Sequence, residues 1–221
     1  MIARLILIIT CMLALPYAAT AQFGPEHASP RTADEIYADR AMTDAAELIK
    51  VSPTDVVSTD DGIDPDRAQN LYGQARERYE KLCSNREART DFWSRNCYKL
   101  ADIYRRGLGI TQDYAMAKTL YSEACLEGGH LNACLQQAYT DHVGNAGEKD
   151  WPNARALYTI ACDMDDASGC AGLGNMLYRG QGGDFDRIRG ANLIQQACAD
   201  EYAWACERLE GFGIPVRKRG F

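Results

Sequence analysis

The eight cysteines from Cys83 onward fall into four close pairs that recur along the chain: Cys83/Cys97, Cys125/Cys134, Cys162/Cys170 and Cys198/Cys206. Second members follow one another at 37, 36 and 36 residues, first members at 42, 37 and 36. A period in the mid-thirties marks a stacked repeat. One unit is too small to bury its own apolar face and buries it on its neighbour. The architecture expected of such a chain is a solenoid, with a covalent link at the same point of every unit.

The amino terminus says why the cysteines can pair. Arg4 precedes an apolar run from Leu5 to Leu15, Pro16 closes it, and Ala19-Thr20-Ala21 stands before Gln22. That order predicts a signal peptide over residues 1–21, cleaved on export. The run is 11 residues long, against the ~20 a membrane-spanning helix needs, so no stable membrane insertion is expected after cleavage. Cys11 leaves with the peptide and eight cysteines remain, an even set. Export to the periplasm or the medium puts them in an oxidising space where disulfides persist. With 31 acidic and 24 basic side chains the formal net charge is −7, which disfavours nucleic acid and anionic membrane surfaces as partners. The basic cluster Arg217-Lys218-Arg219 reads as a solvated tail. The protein is expected to be monomeric.

Residues 22–65 read as a flexible segment holding one short amphipathic helix, over about 33–50. Thr32-Ala33-Asp34-Glu35 matches a capping box, in which Thr32 accepts from the Glu35 amide and the Glu35 carboxylate reaches back. Ile36, Ala41, Met42, Ala45, Leu48 and Ile49 follow at helical spacing. Such a helix can cover the open end of a solenoid. Asp60, Asp61, Asp64 and Asp66 lack the alternating ligands and distant glutamate of a calcium loop. Asp64 reads instead as a helix cap, with Pro65 in the first turn.

Residues 66–221 read as a repeat domain of about four units, the last truncated. Eight residues before each first cysteine stand Ala75, Ala117, Ala154 and Gly190. Five and four before stand Arg78-Tyr79, Leu120-Tyr121, Leu157-Tyr158 and Leu193-Ile194. With the residue just before the cysteine, these offsets trace one face of a first helix in each unit. A second helix starts near the second cysteine, with Leu100-Ala101 and Tyr104 in unit 1 and Leu173-Gly174 and Leu177 in unit 3. Gly107, Gly144 and Gly180 follow as left-handed caps. Antiparallel helices joined by a short loop bring the paired cysteines within bonding distance, so four disulfides are expected, one per unit. Unit 1 is expected to have the longer loop, Ser84 to Asn96.

This stretch resembles the Sel1-like repeat family. Leu100-Ala101, Tyr104 and Gly107-Leu108-Gly109-Ile110 look like its second helix and glycine turn, and Ala117, Leu120-Tyr121 and Ala124-Cys125 like its first. The paired cysteines are similar to those of the secreted cysteine-rich Sel1-like proteins of Helicobacter. The resemblance implies an all-α, right-handed superhelical solenoid of αα-hairpins with a concave groove. It also implies penicillin binding with weak β-lactamase activity, although Ser-x-x-Lys and Lys-Thr-Gly are missing.

No catalytic residue, metal or cofactor is expected. There is no Cys-x-x-Cys, no Gly-x-Ser-x-Gly and no zincin spacing among His27, His130 and His142. The function expected is a non-enzymatic scaffold that binds a protein or peptide. Its groove is expected on the first helices, at Glu80, Lys81, Ser122, Glu123, Thr159, Gln195 and Gln196.

Overall fold

The computed structural model describes residues 31–48, 65–85 and 90–216. Among them are nine helices and no strand. Helix α1 (Ala33–Leu48) precedes four hairpins. These are α2 (Pro65–Ser84) with α3 (Asp91–Arg106), α4 (Tyr114–Leu126) with α5 (Leu131–Val143), α6 (Trp151–Asp163) with α7 (Ala167–Arg179), and α8 (Arg187–Ala199) with α9 (Ala203–Gly211). Each helix packs on the next, making an all-α repeat solenoid. The expected signal peptide, the linker with the Asp64 cap, His27 and the basic tail lie outside the described residues.

The same local chemistry recurs at each helix end. Asp113, Asp150 and Asp186 cap α4, α6 and α8, each side chain accepting from the backbone N–H three residues on. All three stand 12 residues before a first cysteine, so the cap belongs to the repeat. Gly107, Gly144 and Gly180 close α3, α5 and α7 in the left-handed conformation. Inside units 2 to 4 the hairpin turn is also shared. The N–H groups of His130, Asp166 and Tyr202 donate to the carbonyls of Ala124, Ala161 and Ala197. The residue before each donor is left-handed: Gly129 (φ 66°), Asp165 (φ 60°) and Glu201 (φ 65°).

The first cysteine is the penultimate residue of each first helix. Disulfides join Cys83–Cys97, Cys125–Cys134, Cys162–Cys170 and Cys198–Cys206, with Cα atoms 4.9, 4.8, 4.3 and 4.8 Å apart. Unit 1 departs from the expectation. Its second helix starts at Asp91, six residues before Cys97, not near the cysteine. The cause is Trp93, buried in the core, whose indole Nε1 donates to the Cys83 carbonyl at 2.7 Å. That anchor draws the chain into helix early.

The small residues do what close packing requires. Ala75, Ala117, Ala154 and Gly190 are all buried. A Cβ on Gly190 would lie 2.6 Å from the Gly174 carbonyl oxygen, so α7 and α8 meet backbone to backbone. Helix α1 packs on α2 and buries Ala38 and Ala41 in the main core. Thr32 Oγ1 accepts from the Glu35 N–H at 3.2 Å. The Glu35 carboxylate does not complete the capping box. It is fully buried and is held by Arg95 and Lys99 of α3, at 2.8 and 3.1 Å. Two cations outcompete one amide for a carboxylate.

Candidate functional site

Outward-facing residues on the second helices form a cleft of about 490 Å³. Counted from the second cysteine, positions +2, +5 and +9 face into it. In α5 these are Gln136, Tyr139 and Val143; in α7, Gly172, Asn175 and Arg179; in α9, Arg208 holds +2. Steps of three and four residues put them on one helical stripe. Tyr158 of α6 forms part of the lining. A Cβ on Gly172 would sit 2.6 Å from that ring, so glycine lets the tyrosine reach the cleft.

The lining is aromatic and cationic. Tyr139 and Val143 are exposed large hydrophobic residues, and Tyr202 and Trp204 face them from the α9 end. The guanidiniums of Arg179 and Arg208 converge on one ring, 5.5 and 6.0 Å from the Phe212 centroid. Arg208 also stands over Trp204 at 4.7 Å. Neither arginine has a carboxylate partner among the described residues, and no acidic side chain lines the cleft.

Two polar groups define its chemistry further. Asn175 is 3 % exposed, and its Oδ1 has no hydrogen-bond partner. A buried unpaired amide oxygen is costly and rare. Gln137 and Asn96 also carry unpaired oxygens, but neither lines the cleft. His142 Nε2 donates to Gln181 Oε1 at 3.0 Å. Burial lowers the His142 pKa from 6.5, and the positive charges of Arg179, Lys149 and Arg208 lower it further. Burial pushes the phenols of Tyr158 and Tyr202 up; Asp166 adds to the effect on Tyr202.

Ser168 Oγ donates to Asp166 Oδ1 at 2.6 Å, and the same oxygen caps Gly169 N at 2.8 Å. That contact serves a helix start, and His142 is bonded to an amide instead of a serine. Among the described residues no cluster of His, Cys, Asp and Glu could hold a metal. His130 caps α5 through Nδ1 and stacks on Tyr98 at 4.7 Å.

The seven first-helix positions named from sequence are not brought together. Glu80 and Glu123 share a shallow depression beside Tyr104 and Leu120. Ser122 and Glu123 border another with Gln137. Lys81 is paired with Asp34 of α1 at 3.3 Å. Thr159 Oγ1 donates to the Arg155 carbonyl, and Gln195 Nε2 to the Pro215 carbonyl. Gln196 is exposed. None lines the cleft. Sequence reasoning missed Tyr139, Asn175, Arg179, Trp204 and Arg208. The available signal was the −2, +2, +5, +9 stripe, where aromatic, amide and arginine residues recur on one helix face.

Over 81% of its length the chain is similar to a protective antigen of uropathogenic Escherichia coli displaying an SLR fold, with TM-score 0.54, 20% identity and 34% of that chain covered. With its four disulfides, the class defined is a cysteine-rich Sel1-like repeat fold. A Sel1 repeat protein from Oxalobacter formigenes is similar at TM-score 0.49, with 23% identity over 60% of this chain and 96% of that one. Helicobacter pylori cysteine rich protein B gives TM-score 0.43 and 24% identity over 64% of this chain and 96% of that one.

Among curated proteins the chain is similar to cytochrome c oxidase assembly factor 7. It is 35% identical to the Homo sapiens protein over 96 residues, 41% of this chain and 42% of that protein. It is 29% identical to the Xenopus tropicalis protein over 134 residues, 57% of this chain and 58% of that one. The chain spans about half the length of these relatives. No family model matches it.

Proposed function

We propose that this protein is an exported, disulfide-stapled scaffold of the cell envelope that binds a protein or peptide segment and catalyses no reaction. The observation that carries the reading is the cleft on α5, α7 and α9: aromatic walls, two guanidiniums without carboxylates, and a buried amide oxygen without a donor. A concave apolar site with a few convergent polar groups is the usual form of a binding pocket. Four disulfides support residence in an oxidising compartment, periplasmic or extracellular. Among the described residues, no helix is long and apolar enough to cross a membrane. The curated relatives bear the name of an oxidase assembly factor, which matches neither a peptide-binding envelope scaffold nor a penicillin-binding enzyme. The first-helix positions around Glu80, Ser122 and Glu123 offer a second, shallower contact surface.

The test is photo-crosslinking in cells. A crosslinking amino acid at Tyr139, in the cleft, is compared with one at Arg40, on the exposed side of α1. A partner captured from Tyr139 but not from Arg40, and lost in Cys162→Ser/Cys170→Ser, is the expected result. Equal capture from both positions, or none from Tyr139, removes the reading.

A further inference from the structure

Given a cleft that binds a protein or peptide segment, as proposed, the charge of its lining defines the kind of segment. The second-helix stripe runs through every unit, and unit 1 shows how its cations are satisfied. There the residues two before and two after the second cysteine are Arg95 and Lys99. Both are held by carboxylates from the neighbouring helix: Glu35 takes Arg95 and Lys99, and Asp39 takes Lys99 at 2.8 Å. In unit 4 the same two positions are Trp204 and Arg208, and Arg179 of unit 3 joins them across Phe212. No carboxylate meets these two guanidiniums among the described residues.

We infer that the cleft binds an acidic peptide segment in extended conformation, with a carboxylate between Arg179 and Arg208. Three observations fix that chemistry. Two guanidiniums lining one cleft favour a planar carboxylate, which each can engage through paired N–H donors. The Asn175 carboxamide, 3 % exposed with its oxygen unpaired, is satisfied by a backbone N–H. A helical ligand has already used its backbone donors internally, so the segment is extended. Tyr139, Tyr202 and Trp204 supply apolar surface for the side chains flanking the acid. The carboxylate-free lining sits on a chain of net charge −7, so the cleft is a local reversal of the charge of the whole protein.

The experiment selects peptides from a random 12-residue display library on the oxidised full-length protein. Representative peptides are then labelled with fluorescein for anisotropy titration. Selected sequences are expected to be rich in Asp and Glu beside aromatic or aliphatic residues. Affinity should fall about tenfold or more in Arg179→Gln/Arg208→Gln, and should weaken as salt rises. Arg40→Gln/Arg189→Gln removes the same charge outside the cleft and should bind as the native chain does. Asn175→Leu separates binding from folding: the melting temperature should hold or rise, since an unpaired oxygen is removed, while affinity drops. Neutral or basic selected peptides, or equal affinity for the two double variants, overturn the acidic assignment and leave the scaffold role standing. Displacement by inorganic triphosphate at the concentration where free unlabelled peptide competes also overturns it, in favour of a general anion site. No selected peptide at all removes both.

Discussion

The two ends of the stack treat the same stripe of positions in opposite ways. At the amino-terminal end, Arg95 and Lys99 point at α1 and meet the buried Glu35 and half-buried Asp39. The charges are neutralised within the chain and the surface is closed. Toward the carboxyl-terminal end, Arg179 and Arg208 meet aromatic rings and no acid. That surface is a cleft. Cation–aromatic contacts hold a guanidinium in place at ~0.5–2 kcal/mol without cancelling its charge, so Arg179 and Arg208 stay available to an acid from elsewhere. One repeat pattern thus makes a sealed end and a receptive one.

The largest perturbation strikes both ends at once. Each disulfide is worth roughly 2.5–3 kcal/mol in the loop-entropy account, and four together rival the ~5–15 kcal/mol stability of an ordinary domain. Reduction is expected to abolish the cooperative circular-dichroism melt or move it down by tens of degrees. A melt unmoved by reductant would mean that helix packing alone holds both regions.

Next comes Glu35→Gln, aimed at the sealed end. It leaves Arg95 and Lys99 facing a buried neutral amide, at a cost of about 3 kcal/mol. Amide hydrogen exchange in α1 should accelerate strongly, while α7 and α9 keep their protection. Equal acceleration at both ends would erase the distinction between them.

Acid should separate the two ends by pH. The His142 imidazole has a folded pKa below 6.5 because of burial and the nearby cations. The unfolded chain therefore binds its proton first, and stability falls as pH drops below 6.5 toward the lowered value. Burial alone would raise the Glu35 carboxyl, but its bonds to Arg95 and Lys99 hold it below 4.5. Its contribution is present above 4.5 and is lost as pH falls through the lowered value. Exchange mapped against pH should show the cleft end loosening first and α1 later. In His142→Gln the earlier step should vanish, and in Arg179→Gln/Arg208→Gln the imidazole titration followed by NMR should move up.

The smallest effect tests the shared turn. Asp165→Gly and Glu201→Gly relieve a left-handed conformation that costs a side-chain residue about 1 kcal/mol. Each is expected to raise the unfolding free energy, measured by urea titration, by up to that amount, and Gly129→Ala to lower it. No change at Glu201 would show that the terminal unit tolerates strain the inner units do not.

Most of the fold was legible because its causes lie close together in the chain. The cysteine period, the small residues eight before each first cysteine and the glycine caps all act over a few residues. Asp113, Asp150 and Asp186 were as legible, at a constant 12 residues before a cysteine, and went unread. Unit 1 was misread because Trp93 starts α3 through a bond to Cys83, a contact that exists only once the hairpin closes. Lys81 and Gln195, polar first-helix positions the sequence offers for a groove, are engaged within the chain, Lys81 with Asp34 and Gln195 with the Pro215 carbonyl, and those contacts depend on packing between distant segments.

The sequence by itself determined the repeat unit, the hairpins and the point at which each is linked. Helix caps, turn conformations and disulfides within a unit depend on neighbours in the chain, and periodicity exposes them. Only the tertiary structure decided which cations were neutralised and which were left open. Glu35 and Arg95 are 60 residues apart, and Arg179 and Arg208, from different units, lie 5.5 and 6.0 Å from the centroid of the same Phe212 ring. Charge interactions depend on distances through space, and those are set when helices from different units pack.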